Sequence, residues 1–194
     1  ALERLRDDNL VGMMRALKKS GSGAGGVINT HEAALPVPDA ADLPVTVSRP
    51  VPQSWTDYNG HMNEAHYTEA SAQATDRFME MIGCDAEYIA AGGSYFTVEN
   101  HVRFLDELHE GDALPVSTPV LQGDGKTLHL CLRLHGPVGR LAAPVETLLL
   151  HMDLTARGTS LPSQAVADKL ASYAAAHAGM PLPGGAGRHV GQRG

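Results

Sequence analysis

Cysteine is scarce in this sequence, with Cys84 and Cys131 the only two among 194 residues. Neither belongs to a C-x-x-C pair, which argues against a disulfide framework or a Cys-rich zinc site and favours free thiols in a reducing cytoplasm; a single disulfide is the one alternative. Aromatic residues are also few: one Trp, five Tyr and three Phe. No stretch approaches about 18 consecutive apolar residues, and no basic-then-apolar leader opens the chain, so a soluble cytoplasmic protein with no membrane partner is expected. Positive charge is in deficit, with a net charge of −7 and a pI near 5.7. That balance argues against nucleic acid or an anionic membrane and tolerates a cationic ligand. There is no G-x-S-x-G elbow, no Walker loop, and no G-x-G-x-x-G followed by a suitable acid, so serine-hydrolase, NTPase and dinucleotide chemistries find no support. No H-E-x-x-H occurs, and His61 and His66 are poorly spaced for two ligands on one helical face. Neither a metal nor a cofactor is expected.

The glycines and prolines cluster towards the two ends. Residues 1–19, ALERLRDDNLVGMMRALKK, place Leu2, Leu5, Leu10, Met13, Met14 and Leu17 at a helical period between charges and predict an amphipathic helix. SGSGAGG follows and opens a flexible linker over 20–43 that continues as an Ala/Pro connector. From Gly179, GMPLPGGAGRHVGQRG has the composition of a disordered tail over 179–194. One domain, 44–178, lies between them.

Within that domain, the β-branched run Val45–Val51 predicts a strand. Glu64–Ile82 has no Gly or Pro and sets Tyr67, Ala70, Ala74, Phe78 and Met81 at helical spacing, predicting about five turns of helix. Tyr95–Leu105 alternates, with Phe96, Val98, Val102 and Phe104 on one face and Thr97, Glu99, His101 and Arg103 on the other. Strands over 113–121 and 126–135 flank a GDGK turn, the second alternating Leu128, Leu130, Leu132 and Leu134 with polar residues. A last strand over 140–154 precedes a helix over 162–177, introduced by SLPS. The pattern is α+β: strand, long helix, four strands, helix.

The densest chemistry lies in SWTDYNGHMNEAHY, residues 54–67. Asp57-x-x-Gly60, the run His61-Met62-Asn63, a Tyr four residues on, and the later TVENHVRFLDELHEGD together resemble hotdog-fold acyl-CoA thioesterases of the 4-hydroxybenzoyl-CoA thioesterase type. The resemblance covers about residues 44–178. It implies a curled antiparallel sheet of about five strands around a long central helix, with a C-terminal helix. It also implies that Asp57 is the catalytic carboxylate, as nucleophile or general base, and that the backbone N–H near Glu64 polarises the thioester carbonyl. A helix N-terminus suits that task because its first N–H groups are unpaired and carry the positive end of the dipole. Gly60 would permit the turn between them. Asn63 belongs to the same constellation, and His61 is a candidate substrate contact. Asp and Asn ahead of a helix also serve simply as caps and turn formers. Lys126 lies where similar thioesterases place a basic residue for CoA.

LERLRDDNLVGMMRALK looks like the last helix of 3-hydroxyacyl-CoA-dehydrogenase-like enzymes. It resembles the junction in fused carnitine dehydrogenases that carry a C-terminal betainyl-CoA thioesterase domain. The implied partners are an acyl-CoA, an upstream dehydrogenase domain, and further copies of the chain as a homodimer or tetramer. A quaternary ammonium group cannot donate hydrogen bonds and is held by aromatic faces and carboxylates. Trp55, Tyr58, Tyr67, Tyr95 and Phe96 are the candidates for such a cage, with Glu64, Glu69 and Glu99 for charge. The alternatives are a general short-chain or aromatic acyl-CoA thioesterase, or a non-catalytic dimerisation module.

Overall fold

Leu128, Leu130, Leu132 and Leu134 recur at every second position and are all fully buried, as the two-residue period of a strand requires. They form the centre of the core in this computed structural model, which describes residues 43–187 and Val190. The expected helix over 1–19 and the linker up to residue 42 lie outside the described residues.

Seven strands, β1 Val45–Pro50, β2 Gly93–Val102, β3 Ala113–Ser117, β4 Val120–Gly123, β5 Thr127–His135, β6 Leu141–Asp153 and β7 Gly158–Thr159, form one antiparallel sheet. Its main path runs β1-β3-β5-β6-β2, with β4 on β5 and β7 on β6. The helices are α1 Glu64–Met81, α2 Ala86–Ala90 and α3 Gln164–His177. Tyr67, Ala70, Ala74, Phe78, Met79 and Ile82, on or just beyond α1, share one hydrophobic core with residues of β3, β4, β5 and β6. The small alanines let that helix lie close to the strands. None of the described helices is long and apolar enough to cross a membrane.

Three features depart from the expected elements. The single strand over 113–121 is two, β3 and β4, divided at Thr118–Pro119. Proline supplies no N–H, so this segment keeps only the side facing β5, where Cys131 N donates to Pro119 O at 3.0 Å. The alternation expected over 95–105 also fails. A bulge between Thr97 and Glu99 inserts one residue into the register against β6 and moves the core-facing positions from odd to even numbers. Tyr95 and Val102 therefore both meet the core, Phe96 is buried outside that cluster, and Val98 and Phe104 are exposed. Finally, α2 was not expected; Asp85 caps it by accepting from Tyr88 N.

α3 begins two residues after the expected Pro162, with Ser163 as its N-cap. It packs on β4 at Gly123, where a Cβ would lie 2.7 Å from Leu170 Cγ. Residues 179–187, tail-like in composition, form turns tied to the sheet. Arg133 donates to Pro181 O at 2.6 Å, Arg103 to Gly184 O, and Gly187 N to Glu146 Oε1 at 2.7 Å.

Candidate active site

The motif loop is a tight hairpin. Thr56 and Met62 form an antiparallel bridge, Asp57 N donates to His61 O at 2.9 Å, and Gly60 N donates to Asp57 O at 3.0 Å. Gly60 closes it at φ +81°, in the left-handed region where a side chain is strained. The half-buried Asp57 carboxylate sits over this turn, with Oδ1 accepting from Asn59 N at 2.8 Å and His61 N at 3.3 Å. Both loop donors use the same oxygen, which holds the carboxylate in place without occupying Oδ2.

The hairpin leads directly into α1. Asn63 is the N-cap: its Oδ1 accepts from Ala65 N at 3.0 Å, and its backbone O accepts from His66 N at 3.0 Å. Asn63 N in turn donates to Trp55 O at 2.8 Å, closing the loop on itself. The cap leaves the N–H of Glu64, the first helical residue, free for another acceptor, and the helix dipole adds positive potential there. Asp57, Gly60, His61, Asn63 and Glu64 are thus gathered into one loop and helix start. A carboxylate beside such a donor can activate water or attack a carbonyl while the donor receives the developing oxyanion.

A second segment packs against this loop; the sequence placed it in the family pattern but gave none of its residues 106–112 a role in the site. Met62 N donates to Leu108 O at 2.6 Å, and His61 bridges to His109. Glu107 Oε2 lies 3.5 Å from His61 Nε2. The expectation of no metal site rests on the His61–His66 spacing and on the lack of an H-E-x-x-H or Cys-rich partner; the fold gives His61 two other polar neighbours, Glu107 and His109. Asp106 pairs with Arg140 at 2.9 Å, and its carbonyl accepts from Tyr67 Oη at 3.4 Å. Burial pushes the Tyr67 phenol above its ordinary range, and the nearby charges of Asp106, Glu107 and Asp112 push it further. The sequence signal available for this segment was the acid- and His-rich FLDELHEGD run.

The proposed cage is not assembled within one chain. Trp55 is buried, stacked on His66 and approached by Arg49, and Tyr67 is buried edge-on to Phe104. Tyr58 points outwards at 97% exposure. Tyr95 donates to Gly125 O in the turn that carries Lys126, and it neighbours Cys84 just beyond the far end of α1. Since α1 has 18 residues, that end lies roughly 27 Å along the axis from the helix start that follows the Asp57 loop. Lys126 and Glu99 are exposed, and Phe96 is buried outside the α1 core cluster.

Residues 51–170 match the thioesterase-like superfamily. The chain belongs to that family. The chain is 54% identical to an L-carnitine dehydrogenase/betainyl-CoA thioesterase of Ruegeria pomeroyi, over 97% of its own length and 40% of the relative's. It is 38% identical to a betainyl-CoA thioesterase of Pseudomonas aeruginosa, over 75% of its own length and 93% of that protein. Its fold resembles a Staphylococcus aureus protein solved in complex with CoA, with TM-score 0.73 and 24% identity, covering 80% of this chain and 99% of the other. The chain spans about two fifths of the length of these dehydrogenase/thioesterase relatives. The fold is the hotdog of that superfamily.

Proposed function

We propose that the domain hydrolyses betainyl-CoA to glycine betaine and CoA. Asp57 either activates water or attacks the thioester carbonyl, the Glu64 N–H receives the negative charge on the carbonyl oxygen, and the C–S bond breaks to release the CoA thiolate. The observation that carries the reaction is the Asp57 carboxylate fixed over the loop that opens α1. The acyl group is suggested by the similarity to the Pseudomonas aeruginosa betainyl-CoA thioesterase over nearly that protein's whole length.

The separation between Asp57 and the Tyr95–Lys126 end favours a site shared between chains. In this reading the protein is a homodimer or tetramer, and a partner copy brings its own surface to the exposed Tyr58. Residues 44–178 form the thioesterase domain, 1–19 belong to the end of an upstream dehydrogenase, and the working compartment is the cytoplasm. The incomplete cage in one chain supports a second reading, a general short-chain or aromatic acyl-CoA thioesterase.

Thiol release from betainyl-CoA, acetyl-CoA and butyryl-CoA separates the two readings. Betainyl-CoA is expected to be turned over well above the others, and Asp57→Asn to abolish the activity while the Asn oxygen preserves the loop hydrogen bonds. Equal rates on all three substrates would remove the specificity, and an active Asp57→Asn would remove the mechanism.

A further inference from the structure

His61 and His109 face each other across an antiparallel bridge, with ring centroids 5.0 Å apart and planes at 89°. Glu107 completes a triangle in which one ligand atom from each residue lies within 4.8 Å of the others. Among the described residues this is the one group of three His, Cys, Asp or Glu side chains that meets that distance. We propose that His61, Glu107 and His109 bind a divalent transition-metal ion of the zinc type at the mouth of the Asp57 loop.

The ligand spacing suits the ion. A tetrahedral zinc with bonds of about 2.0–2.1 Å holds its ligand atoms about 3.3 Å apart. The 3.5 Å between His61 Nε2 and Glu107 Oε2 is close to that value. The wider side of the triangle closes by rotation of half-exposed and exposed side chains. Two imidazoles and one carboxylate select zinc, copper or nickel over magnesium and calcium, and they leave a fourth position for water.

Support from behind the ligands favours an ion over an incidental surface pair. His109 Nδ1 lies 3.6 Å from Asp112 Oδ2, an ion-pair separation longer than a hydrogen bond, and with Nδ1 on that side Nε2 is the nitrogen proposed for the metal. Asp112 Oδ2 is itself held by the His109 backbone N–H at 2.8 Å. A carboxylate behind a ligating imidazole fixes ring orientation and raises ligand basicity. Meanwhile the Met62–Leu108 hydrogen bond fixes the two backbones between the histidines. Without an ion, a solvent-exposed His–Glu pair adds little stability. The proposal is independent of the acyl group. An ion here would tie the segment carrying Asp57 to residues 106–112, because His61 N donates to Asp57 Oδ1.

The test is a titration of the chelator-treated 194-residue chain with zinc alone at pH 7.5, followed by calorimetry and by thermal unfolding. One ion per chain is expected, with a saturating rise in Tm. His109→Ala and Glu107→Gln are each expected to weaken binding by more than about tenfold, and Asp112→Asn by about tenfold. Magnesium at equal concentration should leave Tm unchanged. Circular dichroism of the metal-free variants separates lost binding from lost fold, and Glu107→Gln decides the matter should His109→Ala not fold. The proposal is overturned by the lack of a saturable event, by both ligand variants titrating like the parent chain, or by magnesium binding as tightly as zinc.

Discussion

Trp55 and His66 lie ring on ring, with centroids 5.0 Å apart and planes within 6° of parallel. Trp55 ends the short turn before Asp57, and His66 stands in the first turn of α1, so the stack spans the loop that carries the carboxylate. The Arg49 guanidinium carbon, 4.6 Å from the centre of the Trp55 ring, and Glu69, 2.8 Å from His66 Nδ1, hold the pair in position. The distance between Asp57 and the first N–H of the helix is therefore set partly by a contact that touches neither.

Loosening that contact should damage catalysis before it damages the fold. His66→Ala removes one ring from a half-buried position, and kcat is expected to fall by about tenfold, or about 1.4 kcal/mol of transition-state stabilisation, with KM changing less. His66→Phe should recover much of the loss. Trp55→Ala, which empties a core position, is expected to cost about 3 kcal/mol or more of stability. Steady-state kinetics and denaturant unfolding distinguish the two effects, and a parental kcat in His66→Ala would refute the positioning role.

Both thiols should be inert in the folded chain. Cys84 and Cys131 are free and almost completely buried, and burial pushes each thiol up to about 11. A thiol-specific disulfide reagent at pH 8 is expected to label neither in native protein and both after unfolding in guanidinium. Rapid labelling of the folded chain would contradict the burial of the core around β5 and the end of α1.

Acid should weaken the fold below neutrality. Burial lowers the pKa of His135, His151 and His177, so all three remain neutral in the folded state. His151 lies between Tyr88 Oη at 2.9 Å and Ser160 Oγ at 3.0 Å, while His177 Nδ1 accepts from Val120 N at 2.9 Å. As pH falls through about 6.5, the unfolded chain binds protons that the folded chain refuses. The stability these residues contribute is present above that pH and is lost as pH falls towards their depressed folded values. Tm is expected to be level above about pH 7 and to decline on acidification below about 6.5. His177→Gln, which retains an acceptor for Val120 N, should reduce the slope; a rise in Tm on acidification would refute the assignment.

The parts of this molecule legible in its sequence are those governed by local period and local chemistry. The Gly- and Pro-free run of α1, the Asn63 cap, the leucine face of β5 and the turn at Gly60 depend on neighbours a few residues apart. The β2 bulge escaped because inserting one residue reverses alternation without changing composition. The break at Pro119 was visible as a proline, but its effect depended on which side of the strand needed donors. Glu107 and His109 meet His61 only through a pairing between distant segments, and no local pattern reports that. The candidate catalytic loop was legible for the opposite reason: its carboxylate, turn and helix start are contiguous.

Pro119 also limits how this sheet can grow. Beyond it, β4 lies against α3, while β1 at the other end of the main path has six residues bounded by Pro44 and Pro50. Short, proline-flanked edges are poor templates for another chain. The ten-residue β2 at the opposite edge is longer and carries an exposed Val98. A sheet with one inviting edge and one blunted edge can accept a neighbour once and then has little left to offer a third, so unequal edges guard against runaway fibre growth.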